Sequence, residues 1–490
     1  MKEENNTPKS EPNPSTAAAL LADSEFFDAE WYLNTYPDVA AAGVDPAEHY
    51  LSSGAEEGRD PGPNFCTNIY LRRFPDVATA GINPLLHYLT HGRKEGRKLP
   101  PAVPLSTAEA LRARFANLRE LPVFVVPDGD KRLCMITDSI NAGNLFGGVS
   151  TALIFSALFS KRLGAKLRVI TRNEPPDREN LRKVFQIHAI PWEGNVQFAF
   201  ANENEQIDIT PQDVFVTTSW WSTWSAKCSI PASKIYYILQ EDERMFYPMG
   251  DERLRCQELL ADPEIKFIVN SQLLFEHMVN EGFGNIAKNG VWFEPAFPEP
   301  TYRPDSWRGS AKKNFFFYAR PLNQRNLYYR GIEALASAID KEVLDPSLWE
   351  IYFVGKDLSE ILLPTGVEPL LMENLDWADY ATLVRRTDLG LSLMCTPHPS
   401  YPPLDLAACG AVAVTNCWGR KTSLKGYSNN IICVDADIDS LVNGIAQGVE
   451  LSKDVKRRQI NYRQSGLCRD WEQSFEPVLK RLTPLANTSS

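Results

Sequence analysis

Residues Ser392–Thr415, SLMCTPHPSYPPLDLAACGAVAVT, read as a short apolar strand, a proline-rich loop, a short helix, a glycine turn and a second apolar strand. Two strands joined through a helix cannot pair as a hairpin, so they belong to a parallel sheet. Neither run alternates polar with apolar residues, so both faces of that sheet are covered. Similar apolar runs lie on either side: Phe315–Ala319, Ile351–Val354, Leu389–Leu393, Val412–Thr415 and Ile431–Val434 form one series. Leu133–Thr137, Leu167–Thr171, Val214–Thr218, Ile235–Leu239 and Phe267–Asn270 form another, with a long helix over Val149–Leu163. The proline-rich run Glu294–Trp307 separates the two series. The expected fold class is α/β: two Rossmann-like, doubly wound domains, residues 131–300 and 301–490, facing a cleft.

The 490 residues exceed what these two domains need. Ahead of them, Tyr32-Leu33, Pro37-Asp38-Val39-Ala40, His49-Tyr50 and the GAEEGR from Gly54 recur as Tyr70-Leu71, Pro75-Asp76-Val77-Ala78, His87-Tyr88 and the GRKEGR from Gly92, always 38 residues on. Residues 23–100 are therefore a small all-α module of two packed repeats, each a pair of short helices with Asp45-Pro46 or Asn83-Pro84 as start signals. His49 and His87 fit a packing role. Residues 1–22 read as a disordered tail and 101–130 as a linker with a short helix over 107–118. Residues 452–482 are amphipathic and are expected to cross back and brace the first domain.

A net charge of −11 excludes a dedicated nucleic-acid binder, which needs an excess of Lys and Arg on one face. No apolar run is long enough to span a bilayer and no secretion signal opens the chain. The nine cysteines form no CxxC and several sit in apolar runs, as free thiols in a reducing compartment do. The expectation is a cytoplasmic protein, with the module at 23–100 open to contact with a membrane surface or an assembly complex.

Chemistry concentrates at strand ends. Phe146-Gly147-Gly148-Val149-Ser150-Thr151 opens the long helix of the first domain. Gly147 and Gly148 would let a ligand approach backbone N–H groups at the positive end of that helix; the alternative is a tight turn. Arg320 and Arg325 follow strand Phe315–Ala319, where two guanidinium groups can chelate a diphosphate; the alternative is surface ion pairing. In the run quoted first, the loop at His398, Ser400 and Tyr401 and the helix it opens offer a phosphate contact, and Asp405 can accept from ribose hydroxyls. His398 is otherwise an idle loop histidine, and Asp405 otherwise serves its helix dipole. Asp242, in Gln240-Glu241-Asp242-Glu243-Arg244, is the candidate catalytic carboxylate that steers an acceptor hydroxyl or the sugar, unless Arg244 simply ties down a solvated loop. Trp220, Trp221 and Trp224 read either as a sugar platform or as core.

The spacing of Asp405 and Gly410 resembles the signature of glycosyltransferase family 4, where an acidic residue stands five before a glycine that opens the next strand. That family usually has Glu at this place and another Glu eight residues earlier, where this chain has Pro397. TPHPSYPPLD, FYARP with Arg325-Asn326, and FGGVST together resemble the WsaF-type rhamnosyltransferases. The resemblance implies a GT-B fold, no resident cofactor and no metal. It implies a dTDP-rhamnose donor (thymidine diphosphate rhamnose), and a glycan or lipid-linked glycan acceptor in bacterial surface polysaccharide assembly. By position, Arg320 and Arg325 would hold the diphosphate, Ser400 and Tyr401 the phosphate or base, and Asp405 the ribose. Other readings are a sugar-nucleotide epimerase or hydrolase of the same fold, or a catalytically silent nucleotide-sensing scaffold.

Overall fold

The computed structural model describes residues 14–99, 106–141, 147–192, 194–202, 205–305, 307 and 312–483. It divides into two compact units, Met1–Ala116 and Asn117–Ser490.

In the first unit, each repeat is built by local signals. Asp45 caps the helix Pro46–His49 through Ala47 and Glu48 N–H groups, and Asn83 caps Pro84–His87. Gly43 and Gly81 end the preceding helices in the left-handed region, at φ 66° and 65°. Each unit is more than the expected helix pair: three short α-helices run into a π-helical turn, Tyr50–Gly54 or Tyr88–Gly92. That turn is where the repeat closes. A Cβ at Gly54 would stand 2.2 Å from the Tyr32 hydroxyl, and one at Gly92 2.6 Å from that of Tyr70. The two hydroxyls meet Nδ1 of His49 and His87 at 3.0 Å, so both histidines serve packing. Arg59 binds Asp38 with both terminal guanidinium nitrogens, and Arg97 repeats this on Asp76. The expected tail at 1–22 is corrected in part. Pro14–Ala22 is a helix whose Leu21 is buried in the module core, because an apolar AAALLA run gains more by covering the repeats than by staying solvated. Residues 1–13 lie outside the described residues.

The second unit holds two lobes. The first contains β1 (Val123–Val125), β2 (Arg132–Thr137), β3 (Lys166–Thr171), β4 (Gln197–Phe200), β5 (Ile207–Ile209), β6 (Val214–Thr217), β7 (Ile235–Leu239), β8 (Lys266–Asn270) and β9 (Val291–Phe293). Seven of them form a wholly parallel sheet in the order β4-β3-β2-β6-β7-β8-β9, while β1 and β5 pair separately. The expected linker at 101–130 is thereby divided. Its helix Thr107–Arg114, closed by a Ser106–Glu109 capping box, falls in the first unit. Its residues 117–130 fall in the second unit, and β1 within them pairs with β5 of the first lobe.

The second lobe has β10 (Lys313–Ala319), β11 (Trp349–Gly355), β12 (Leu370–Glu373), β13 (Leu389–Leu391), β14 (Val412–Asn416) and β15 (Ile431–Val434), parallel in the order β12-β11-β10-β13-β14-β15. The direction of winding reverses between β10 and β13 here, and between β2 and β6 in the first lobe. These reversals open the crevices where ligands of such sheets bind. The C-terminal helix Trp471–Leu482 returns to the first lobe as expected: Trp471, Phe475, Val478 and Leu479 enter its core with Phe155, Phe159 and Phe293. Among the described residues no helix is long and apolar enough to cross a membrane.

Candidate functional site

The chain leaves β10 at Arg320 and β13 at Ser392, so the arginine loop and the loop Met394–Ser400 flank the reversal point of the second lobe. Asn323 caps the turn Gln324–Asn326 by accepting from the Arg325 N–H, which fixes the start of the Arg325 side chain. The second loop is pinned from β14: Asn416 accepts from Met394 N–H at 2.7 Å and donates to its carbonyl at 3.2 Å. Thr396 and His398 then hold the loop's own backbone, with His398 Nδ1 accepting from Ser400 N–H at 2.9 Å. Ser400 sits at φ 70°, a left-handed conformation a serine adopts only under constraint, and it precedes the helix Tyr401–Ala408.

The two lobes meet here. Arg325 reaches across to Glu241, at the end of β7, at 2.8 Å, and lies over the Phe246 ring. Thr396 donates to the same carboxylate at 2.6 Å. Burial pushes the Glu241 carboxyl above its usual range, and Arg325 and Thr396 pull it back only in part. Tyr401 crosses in the other direction: its hydroxyl meets Thr151 at 2.6 Å and accepts from Asn270 at 2.9 Å. The hairpin after β14 adds Trp418 against the His277 ring and Arg420 beside Glu276.

Against the residues expected from sequence, the outcome is mixed. Arg320 and Arg325 stand on one loop at the reversal point. They are not two free guanidiniums, however: Arg325 is held by Glu241, while Arg320, half-buried, meets the Tyr318 hydroxyl at 3.4 Å and makes no ion pair among the described residues. His398 and Ser400 are in the loop, both buried. Tyr401 is a bridge between lobes instead of a base platform. Gly147, at φ 68°, starts the helix Gly148–Leu163, but protein atoms fill the approach: a Cβ there would meet the Tyr401 ring at 3.6 Å, and one on Gly148 the Gln240 amide at 3.1 Å. Residues 142–146, the rest of that motif's approach, lie outside the described residues.

Two carboxylates are corrected. Asp242 is not available to steer a substrate. Its oxygens are taken by Arg244 at 2.9 and 2.7 Å and by His277 at 3.1 Å. Asp405 lies in the second turn of its helix, because Tyr401-Pro402-Pro403 occupy the first. It is buried beside Tyr380, whose hydroxyl donates to it at 2.9 Å, and burial raises it to about 7. The ribose contact expected of it is replaced by this internal one. Of the tryptophans, Trp220 is core and its indole meets the Tyr247 hydroxyl at 3.1 Å. Sequence reasoning passed over Lys421, which is fully buried in the same region.

Family models describe both lobes. "WsaF, N-terminal domain" matches residues 132–258 and "WsaF, C-terminal domain" matches 313–446, more than half of the chain together. The chain belongs to the WsaF family. Among curated relatives, this WsaF-family chain is 26% identical over 345 residues to the O-antigen biosynthesis protein RfbC of Myxococcus xanthus, a match covering 69% of this chain and 26% of that one. The chain thus spans about a quarter of the relative's length. Among solved structures, Anabaena Alr3699/HepE in complex with UDP-glucose superposes with a TM-score of 0.50 at 16% identity, over 72% of this chain and 99% of that one. That likeness concerns the fold: the two lobes of this WsaF-family chain form a GT-B fold, and the helical repeats precede it.

Proposed function

We propose that the chain is a glycosyltransferase that moves a hexosyl group from a nucleoside diphosphate sugar to a glycan or lipid-linked glycan acceptor in surface polysaccharide assembly, with dTDP-rhamnose as the donor. The observation that carries this reading is the convergence of Arg320, Arg325 and the strained Ser400 loop at the reversal point of the second lobe, opposite Glu241 of the first. The WsaF family membership and the name of the Myxococcus relative support the polysaccharide context.

Transfer breaks the bond between the anomeric carbon and the phosphate oxygen, and negative charge grows on the leaving diphosphate. Arg320 and Arg325 supply fixed positive charge to that group, and the loop N–H groups ahead of the helix Tyr401–Ala408 add to it. Arg325 must exchange Glu241 for phosphate as the donor enters. The exchange leaves Glu241 a buried carboxylate that favours a proton, across the gap from the leaving group.

Arg320→Ala is expected to lower turnover by about 10²–10³-fold, the scale of losing one fixed donor to a developing anion, with an unchanged melting temperature. Transfer at the wild-type rate by this variant refutes the assignment. Melting temperature should rise more with thymidine diphosphate than with uridine or guanosine diphosphate. A rise without turnover on any glycan acceptor would instead favour the nucleotide-sensing scaffold.

A further inference from the structure

Lys421 is completely buried, yet among the described residues its ammonium group has one acceptor, the Met394 carbonyl oxygen at 3.3 Å. An ammonium carries three N–H donors, so two have no partner among the described residues. The hairpin Trp418–Lys421 holds it there: reciprocal backbone bonds of 3.0 and 2.9 Å close the turn, and Trp418 rests on His277 of the other lobe. Three residues along the loop from Cys395, His398 is equally enclosed. Its Nδ1 accepts from Ser400, so the ring proton sits on Nε2, and that nitrogen is buried with no partner among the described residues. The imidazole lies within the field of Lys421, and burial followed by that charge holds it neutral. Glu241, whose charge acts on Lys421, is already engaged by Arg325 and Thr396. Leaving such donors unmet in a protein interior is costly, and a site built for an anionic group explains why the chain tolerates it.

We propose that Lys421, assisted by Nε2–H of His398, is a further phosphate-binding residue: it grips one phosphoryl group of the donor diphosphate at the β13–β14 edge while Arg320 and Arg325 hold the other from β10. The assignment rests on the donor reading above and adds a residue to it. The groups facing Lys421 are Cys433 on β15, Glu241 after β7, Cys395 in the loop and Cys417 at the end of β14. Burial lowers its ammonium to about 8 despite them, so the seat discharges in mildly alkaline solution.

The test is calorimetric titration of the full-length protein with thymidine, thymidine monophosphate and thymidine diphosphate, using wild type, Lys421→Met and Lys421→Arg. Lys421→Met should weaken the diphosphate by about ten- to a hundredfold, the scale of losing a charged hydrogen bond, and leave thymidine unchanged. Lys421→Arg should restore most of the affinity. Wild-type diphosphate affinity should decline above pH 8 while that of Lys421→Arg stays level, a comparison that stands even if Lys421→Met does not fold. Equal diphosphate affinity in folded Lys421→Met and wild type, or parallel loss of thymidine and diphosphate, overturns the Lys421 assignment alone. Absence of diphosphate binding by wild type overturns the donor reading and this inference with it.

Discussion

Burial opposes ionisation of Asp242, but hydrogen bonds from His277 and Arg244 outweigh it and hold the carboxyl at about 2 against 3.8. A folded-state value below the unfolded one stabilises the protein above the unfolded pKa, and that stability is lost as pH falls through about 2. Asp242→Asn should therefore be less stable than wild type at pH 7 by about 2 kcal/mol, with the gap closing between pH 4 and 2 in denaturant titrations. Asp405 behaves oppositely. Burial raises it from 3.8 to about 7, so the folded chain keeps a proton that the unfolded chain has released. Wild-type stability should fall as pH rises from about 4 to 7, and Asp405→Asn should abolish that slope. Both acids were picked out in the sequence as site residues, and neither faces the gap freely. Spacing locates a residue along the chain; it does not say which partner folds against it. The partners His277 and Tyr380 lie 35 and 25 residues away. Lys421 escaped for the same reason, since nothing in WGRKTS marks the lysine as the inward one.

The helical repeats and the interlobe bridges carry their own tests. Gly54→Ala would place a methyl group against the Tyr32 hydroxyl and break its bond to His49, at a cost of about 1–3 kcal/mol read from the denaturation midpoint. Tyr401→Phe leaves Thr151 and Asn270 without their shared partner, and should cost about the same. It should also make the two lobes easier to separate, seen as faster proteolysis of the 294–312 crossing. Most strands were legible: β7 and β15 run over the expected residues, and β2, β3, β8, β10 and β14 differ by a residue or two at one end. β4, β9 and β12 were not. β9 is an apolar run of only three residues, too short to stand out, and β4 and β12 are edge strands of four residues that mix polar with apolar side chains. The π-helical turns have no local signal either; the glycine that permits each one is explained only by a tyrosine 22 residues earlier.

The two-lobe plan was readable because each half repeats the same alternation of buried strand and covering helix. The division at Asn117 was not, since the short β1 that ties 117–130 to the first lobe pairs with β5, eighty-odd residues on. A protein beginning at Asn117 should fold and keep the transfer activity proposed above, measured beside the full-length chain. Phe475→Ala, which empties a place between Phe155, Phe293 and Trp471 in the first lobe, should cost about 3–5 kcal/mol.

The return of Trp471–Leu482 to the first lobe sets an order of events during synthesis. Domains generally fold as they leave the ribosome, amino-terminal first. This first lobe exposes the socket for four of its own core side chains until residues 471–482 have been translated. An arrested or truncated product lacking that segment would carry a nearly finished lobe with an open apolar trough, the kind of species chaperones retain and proteases remove.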